Sequence, residues 1–199
     1  MVNVYEKIKA SPDFYRQFRC EDSLITLFNC LSKEKYLDAW SQYNYFVYVV
    51  DGRRVWHTAH GSYDMQQGDC VFVRKGGCIV EQFLDQPPCF IFFFMPDDFI
   101  CESLQNKVLP AVSSGQQFQS VIPVEGNAVL QAFFNSMISY FYNDREPDQA
   151  LIQLKFKELL LTLGDDGANY DLRSFFSFLL QKPRAATVQQ IMEENFCFI

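Results

Sequence analysis

The segment from Tyr43 to Met95 consists of short apolar runs separated by turn residues at a close spacing. Aromatic and β-branched residues dominate the runs, and Gly, Asp or Pro pairs lie between them. Strands of about five to eight residues, with turns every eight to twelve, are typical of antiparallel sandwiches and small barrels. This spacing leaves no room for the crossover helices that a parallel sheet requires. The predicted strands are Leu24–Leu31, Tyr43–Val50, Val55–Thr58, Cys70–Val73, Cys78–Leu84 and Cys89–Met95.

After Pro123 the apolar residues recur with a helical period and form wide stripes. Asn127 is suited to cap the first helix, because its side chain can accept from the backbone N–H groups of the first turn. The predicted helices are Asn127–Asn143, Ala150–Leu163, Tyr170–Leu180 and a fourth that begins at Thr187. The sequence therefore predicts an α+β fold, with the strands in residues 1–126 and the helices in 127–182 and 183–199.

Composition excludes several classes of protein. Hydrophobic residues make up 49% of the chain and aromatic residues 17%, which is incompatible with disorder. A formal net charge of −7 argues against DNA binding by this chain alone, because phosphate neutralisation needs clustered Lys and Arg.

No apolar run is long enough for a transmembrane helix, and the N-terminus does not have the order of a signal peptide. Seven cysteines without a C-x-x-C pair predict reduced thiols in a cytoplasmic protein that has no membrane partner.

The sequence favours neither a metal site nor a catalytic centre. His57 and His60 are the two histidines, and three residues apart in a strand their side chains point to opposite faces. Cys70 or Cys78 could act as a nucleophile only beside an oriented histidine base, and nothing in the spacing selects that arrangement over inert core thiols. We therefore predict no metal, no cofactor and no enzymatic activity.

The strand Cys89–Met95 is apolar on both faces. Phe90, Phe92 and Phe94 share one face, and Ile91 and Phe93 share the other. Such a strand needs a cover on both sides, which the interior of the barrel and the C-terminal helices could provide. The aromatic rings of the strands are explained more simply as core packing than as the lining of a ligand pocket.

Glu81 is polar on a predicted strand face that it shares with Ile79 and Phe83. If this face points inward, Glu81 is a buried carboxylate that needs a partner or a ligand. If it lies at the rim, Glu81 is solvated, and the sequence leaves both alternatives open.

The two long helices carry more apolar surface than one small barrel can cover. We expect one face of each helix to pack on the barrel and another to pack across a two-fold dimer, although packing on the barrel alone stays possible. The residues predicted for the dimer interface are Phe134, Met137, Phe141, Leu151, Phe156 and Leu160.

The order of these parts resembles a known family. A strand that ends in Asp51-Gly52 is followed by Gly68-Asp69-Cys70-Val71-Phe72-Val73 and by a strand that runs into Phe94-Met95-Pro96. With the helices that follow, residues 24–195 resemble the N-terminal cupin-like domain of AraC-type (AraC/XylS) transcription regulators. The motif around Gly68-Asp69 is its most specific element, although cupins in general share it.

The resemblance implies an antiparallel cupin-like barrel (a double-stranded β-helix, or jelly roll) in residues 1–126 that senses an effector. It implies a helical dimerisation region in 127–182 and a linker helix in 183–199, with the chain cut before a helix-turn-helix domain. The effector would be a small molecule or a regulatory protein, and DNA would be bound only through the absent domain.

The resemblance also implies a set of pocket residues, since the pockets of this family are lined by the inward faces of the barrel strands. Matching the turn glycines and Pro96 assigns Glu81, Phe83, Cys89, Ile91 and Phe93 to such positions, and alternation adds Tyr43 and Tyr45. The alternative function is a cupin enzyme without metal, or a standalone small-molecule-binding protein.

Overall fold

The structure is a computed structural model that describes residues 1–29, 34–59, 61–83, 88–113, 115–143 and 145–181. Its strands are β1 (Val2–Asn3), β2 (Gln17–Cys20), β3 (Ser23–Asn29), β4 (Tyr36–Ser41), β5 (Asn44–Asp51), β6 (Arg53–Thr58), β7 (Gly61–Gln66), β8 (Cys70–Val73), β9 (Gly76–Gln82), β10 (Cys89–Met95) and β11 (Val121–Val124). Its helices are α1 (Val4–Lys9), α2 (Asp97–Leu104), α3 (Ala128–Tyr142), α4 (Gln149–Asp165) and α5 (Tyr170–Gln181). The predicted fourth helix from Thr187, and the linker segment 183–199, lie outside the described residues.

The strands form two sheets, one of five strands in the order β1-β4-β9-β6-β7 and one of six in the order β11-β8-β5-β10-β3-β2. Every pairing is antiparallel except that of β1 with β4, so the predicted antiparallel α+β architecture is confirmed. The turn between β5 and β6 requires Gly52, whose φ is +83° and whose added Cβ would lie 2.9 Å from the Cα of Pro88.

The six-stranded sheet has a hydrophobic core on each of its faces, as the two-sided pattern of Cys89–Met95 predicts. The inter-sheet core lies between the two sheets and contains Phe90, Phe92 and Phe94. The sheet–helix core lies on the opposite face and contains Ile91 and Phe93 together with residues of α2, α3, α4 and α5. Adjacent residues of β10 therefore belong to different cores.

The apolar stripe predicted for the first long helix is the face that α3 buries. Asn127 caps the helix by accepting from the N–H groups of Val129 and Leu130, both at 2.9 Å. Phe133 and Phe134 pack on Phe93 of β10, with ring centroids 5.7 and 6.0 Å away. Within the described ranges, none of the helices is both long enough and apolar enough to span a membrane.

Candidate functional site

The space between the two sheets is filled by aromatic rings of the chain itself. Phe92 stacks on Phe94 with centroids 5.6 Å apart and meets Phe28 edge to face at 5.3 Å. Trp56 approaches from the five-stranded sheet and meets Phe90 edge to face at 6.1 Å. The interior that sequence alternation offers as a pocket is thus occupied by a packed core.

Two of the predicted pocket residues, Tyr45 and Tyr43, lie in or beside this core. Tyr45 is buried among the rings, its hydroxyl lies 3.9 Å from the Cys78 sulfur, and burial raises its pKa well above the usual value. Tyr43 is half-buried at the edge of the core and meets Tyr5 of α1 edge to face at 4.8 Å.

The prediction that Ile91 and Phe93 point into the barrel is wrong. Both are fully buried on the opposite face of β10, in the sheet–helix core. The physical reason is that both faces of this strand are apolar, so the sequence pattern carries no sign that distinguishes them. Cys89 begins the same strand next to a β-bulge, and burial, followed by the charge of Asp51, raises its pKa to about 11.

Glu81 lies on the outer face of the five-stranded sheet, which corrects its assignment to an inward position. It accepts from His57 Nε2 at 3.0 Å and forms an ion pair with Lys35 at 3.2 Å. These contacts, His57 before Lys35, hold the pKa of Glu81 below its usual value. His57 Nδ1 lies 2.8 Å from the Ser62 hydroxyl. Ser62, His57 and Glu81 therefore form a row of hydrogen-bonded side chains on the outer face of the sheet.

Phe83 also lies away from the interior, because it follows the last residue of β9 on the same side as Glu81. The Arg53 guanidinium covers its ring at 4.6 Å from the centroid. Among the described residues, no group of three or more His, Cys, Asp or Glu side chains is arranged to hold a metal ion.

A groove on the helix side of the six-stranded sheet combines a cavity with polar side chains. It has a volume of about 250 Å³ and lies between β5, β8 and the first turns of α3. Its floor is buried and consists of Tyr48, Cys70, Leu130 and Phe134. Its rim is exposed and consists of Gly68, Gly126, Asn127, Ala128 and Gln131.

Tyr48 is the central polar residue of the groove. Its ring stacks on that of Phe134, with centroids 4.1 Å apart and an interplanar angle of 9°. Its hydroxyl oxygen accepts from Gln131 Nε2 at 2.6 Å. The two partners are 83 positions apart in the chain, so no local sequence spacing signals this site.

The rim of the groove is linked to the start of α5. Asn127 Nδ2 donates to an oxygen of Asp166 at 2.8 Å, and Asn169 Nδ2 donates to the same oxygen at 3.0 Å. Asn169 is buried and also accepts from the backbone N–H of Glu125 at 2.8 Å. This hydrogen-bonded chain, the rim network, joins the β11–α3 loop to the α4–α5 loop.

The residues predicted for the dimer interface lie mostly inside the protomer. Phe134, Met137, Phe141, Phe156 and Leu160 are each at most 3% exposed and pack in the sheet–helix core. Their assignment to a dimer interface is wrong, because the apolar helix faces that we expected to contact a second copy pack instead in the core against the six-stranded sheet. Leu151 is partly exposed and stays a prediction.

Comparison with known proteins assigns this fold to a regulatory domain. The family model for the ExsA N-terminal regulatory domain matches residues 44–175, and the chain belongs to this family. It is a regulatory domain of an AraC-type transcription regulator and not an enzyme, as the sequence predicts. No curated protein matches the chain.

Two solved structures of ToxT from Vibrio cholerae strain SCE256 are similar to this chain. The apo K231A form is 10% identical with a TM-score of 0.56, and the match covers 86% of this chain and 69% of that one. The wild-type form bound to unsaturated fatty acid is 11% identical with a TM-score of 0.52, with coverage of 86% and 68%. At these identities the similarity concerns the fold.

Proposed function

We propose that this chain is the part of an AraC-type regulator that receives an effector and passes the signal to a separate DNA-binding domain. The observation that carries the proposal is the sheet that both cores share. The helices pack on one face of the six-stranded sheet, and the other face of the same sheet closes the inter-sheet core. An effector that binds where the sheet meets the helices would therefore shift the helices together. The acidic balance of the chain fits a sensing role that leaves DNA contact to the other domain.

The effector is a small molecule, or a regulatory protein, that binds where the packed interior does not have to open. ToxT, a neighbour in fold, has been solved with unsaturated fatty acid, which supports a small-molecule effector here. The seven residues predicted to line a pocket lie either in the packed cores or on the outer surface, so they do not line a common cavity. The groove beside Tyr48 is therefore a better candidate for the effector site than the barrel interior. We place the protein in the cytoplasm, where its cysteines stay reduced.

A homodimer through the C-terminal helices is part of this proposal. The outward side of α4 carries Leu154 and Leu161, which are 61% and 36% exposed. They are seven residues apart and therefore lie on one helix face. A second copy of the chain that packs on this face buries both, and Leu151 stands near its edge.

A fusion experiment tests the regulatory dimer. The chain is joined to a DNA-binding domain that represses a reporter only as a dimer, and repression is measured in cells. We expect the wild-type fusion to repress and the double variant Leu154→Glu/Leu161→Glu to lose repression, because two carboxylates at the interface repel their copies. Val108→Glu is the matched control, because Val108 is 91% exposed and lies outside α4. We expect this variant to keep repression. A wild-type fusion that does not repress would favour a monomeric, standalone small-molecule-binding protein.

A further inference from the structure

The groove beside Tyr48 differs from the rest of the sheet–helix core because it is open while its floor is buried. Its volume of about 250 Å³ exceeds the roughly 150 Å³ of an apolar protein cavity that binds benzene. A molecule with one or two rings therefore fits, whereas a long chain or a folded protein segment does not.

The chemistry of the lining selects an uncharged molecule. None of the described lining residues is an Asp, Glu, Lys or Arg, so a charged ligand would lose its hydration without gaining a counter-charge. Burial raises the pKa of the Cys70 thiol far above its usual value, so the floor stays neutral. The apolar floor and the amide groups of the rim are the usual composition of a small-molecule site.

The Tyr48 hydroxyl adds a requirement for a hydrogen-bond acceptor. Its oxygen accepts from Gln131, and no acceptor for its own hydrogen occurs in the part of the chain that the structure describes. Tyr48 is 4% exposed, so water reaches this hydrogen poorly outside the groove. A ligand carbonyl or ring nitrogen in the groove would accept this hydrogen bond.

We propose that the groove between β5, β8 and α3 binds a small, uncharged aromatic molecule with a hydrogen-bond acceptor, and that the rim network transmits its binding to α5. This proposal rests on the proposed function and names the class of its effector. A ligand in contact with Asn127 fixes the amide that donates to Asp166, and Asp166 holds Asn169 at the start of α5.

Three probes of similar shape test the ligand class by calorimetric titration of the full chain. Acetophenone carries an acceptor, ethylbenzene lacks one, and benzoate is charged. We expect acetophenone to bind about 2- to 10-fold more tightly than ethylbenzene, the range of one net hydrogen bond, and benzoate to bind least. In Tyr48→Phe, which keeps the stacked ring, the first two probes should bind equally.

Blocking variants test the location. Ala128→Trp fills the rim of the groove and should abolish acetophenone binding, whereas Val129→Trp, its exposed neighbour outside the lining, should keep it. Equal binding by both variants, or no binding to wild type at millimolar concentration, would overturn the groove proposal. Either result leaves the dimer-dependent repression of the fusion unaffected, so the two proposals fail separately.

Amide hydrogen exchange tests the transmission. Acetophenone should slow exchange in α5 of the wild type, because the network at its first turn becomes ordered. Asp166→Ala removes the shared acceptor but leaves every lining residue in place, so the variant should bind acetophenone and show no change in α5. The same slowing in Asp166→Ala would show that the rim network is not the route.

Discussion

The two faces of the six-stranded sheet are packed from similar residues but end in different surfaces. On the inter-sheet side, rings such as Phe92 and Trp56 meet other rings until the space is filled. On the helix side, Phe93 is packed as tightly, but the edge beside Tyr48 stays open as a groove. A sheet that is apolar on both faces can therefore keep one core for stability and place a binding surface at the border of the other.

The first prediction compares two neighbouring residues of β10, Phe93 and Phe92, which lie on opposite faces of the sheet. Phe93→Ala removes a fully buried ring that lies within 6.0 Å of the rings of Phe133, Phe134 and Phe156. The variant should lose about 3–5 kcal/mol in the free energy of unfolding, because a cavity replaces the ring. Urea unfolding of the variant and the wild type measures this loss.

Phe92→Ala is the matched control on the opposite face, where the ring meets Phe28 and Phe94. It should cost a similar free energy, but native-state hydrogen exchange should accelerate in α3 and α4 only in Phe93→Ala. If both variants loosen these helices to the same extent, the two cores act as one and the contrast between the faces disappears.

The second prediction concerns the polar edge of the helix side. Asn169→Ala removes a buried amide that accepts from the backbone N–H of Glu125 and donates to Asp166, so we expect a loss of about 1–3 kcal/mol in the free energy of unfolding. Asn135→Ala, at an exposed amide of α3, is the control and should change stability little. A loss for Asn169→Ala no larger than that of the control would mean that the rim network does not hold the helices in place.

The strands and helices could be predicted from sequence because turn residues and apolar periods are local signals. The hairpin at Asp51-Gly52, the strand Cys89–Met95 and the cap at Asn127 are where the pattern indicates. The short strands β1, β2, β4, β7 and β11 were not predicted, since two to six residues without a clear alternation carry little information. β1, β4 and β11 pair with strands that are distant in the sequence, whereas β2 and β7 pair with β3 and β6, their neighbours in the chain.

The candidate site could not be predicted for a different reason. The groove joins Tyr48 to Gln131, and only the packing of α3 on β5 brings these two residues together. The wrong assignments have the same origin. An all-apolar strand does not reveal which face is inward, and a helix stripe does not reveal whether a sheet or a second copy covers it.

The last prediction has the smallest effect and concerns a residue that faces neither core. Glu81→Gln removes the charge that pairs with His57 and Lys35 on the outer face of the five-stranded sheet. Because its pKa is lowered in the fold, the carboxylate stabilises the protein above its usual pKa, and the effect is lost as pH falls through the lowered value. The difference in Tm between variant and wild type should therefore be small at pH 7, shrink below about pH 4 and shrink with added salt.

Asp64→Asn, which breaks the contact with Arg53 on the same face, is the control. Its Tm should depend on pH and salt in the same way, because Arg53 lowers the pKa of Asp64. A fall in Tm as large as that of Asn169→Ala, or a loss of acetophenone binding, would mean that this face belongs to the signalling part of the molecule.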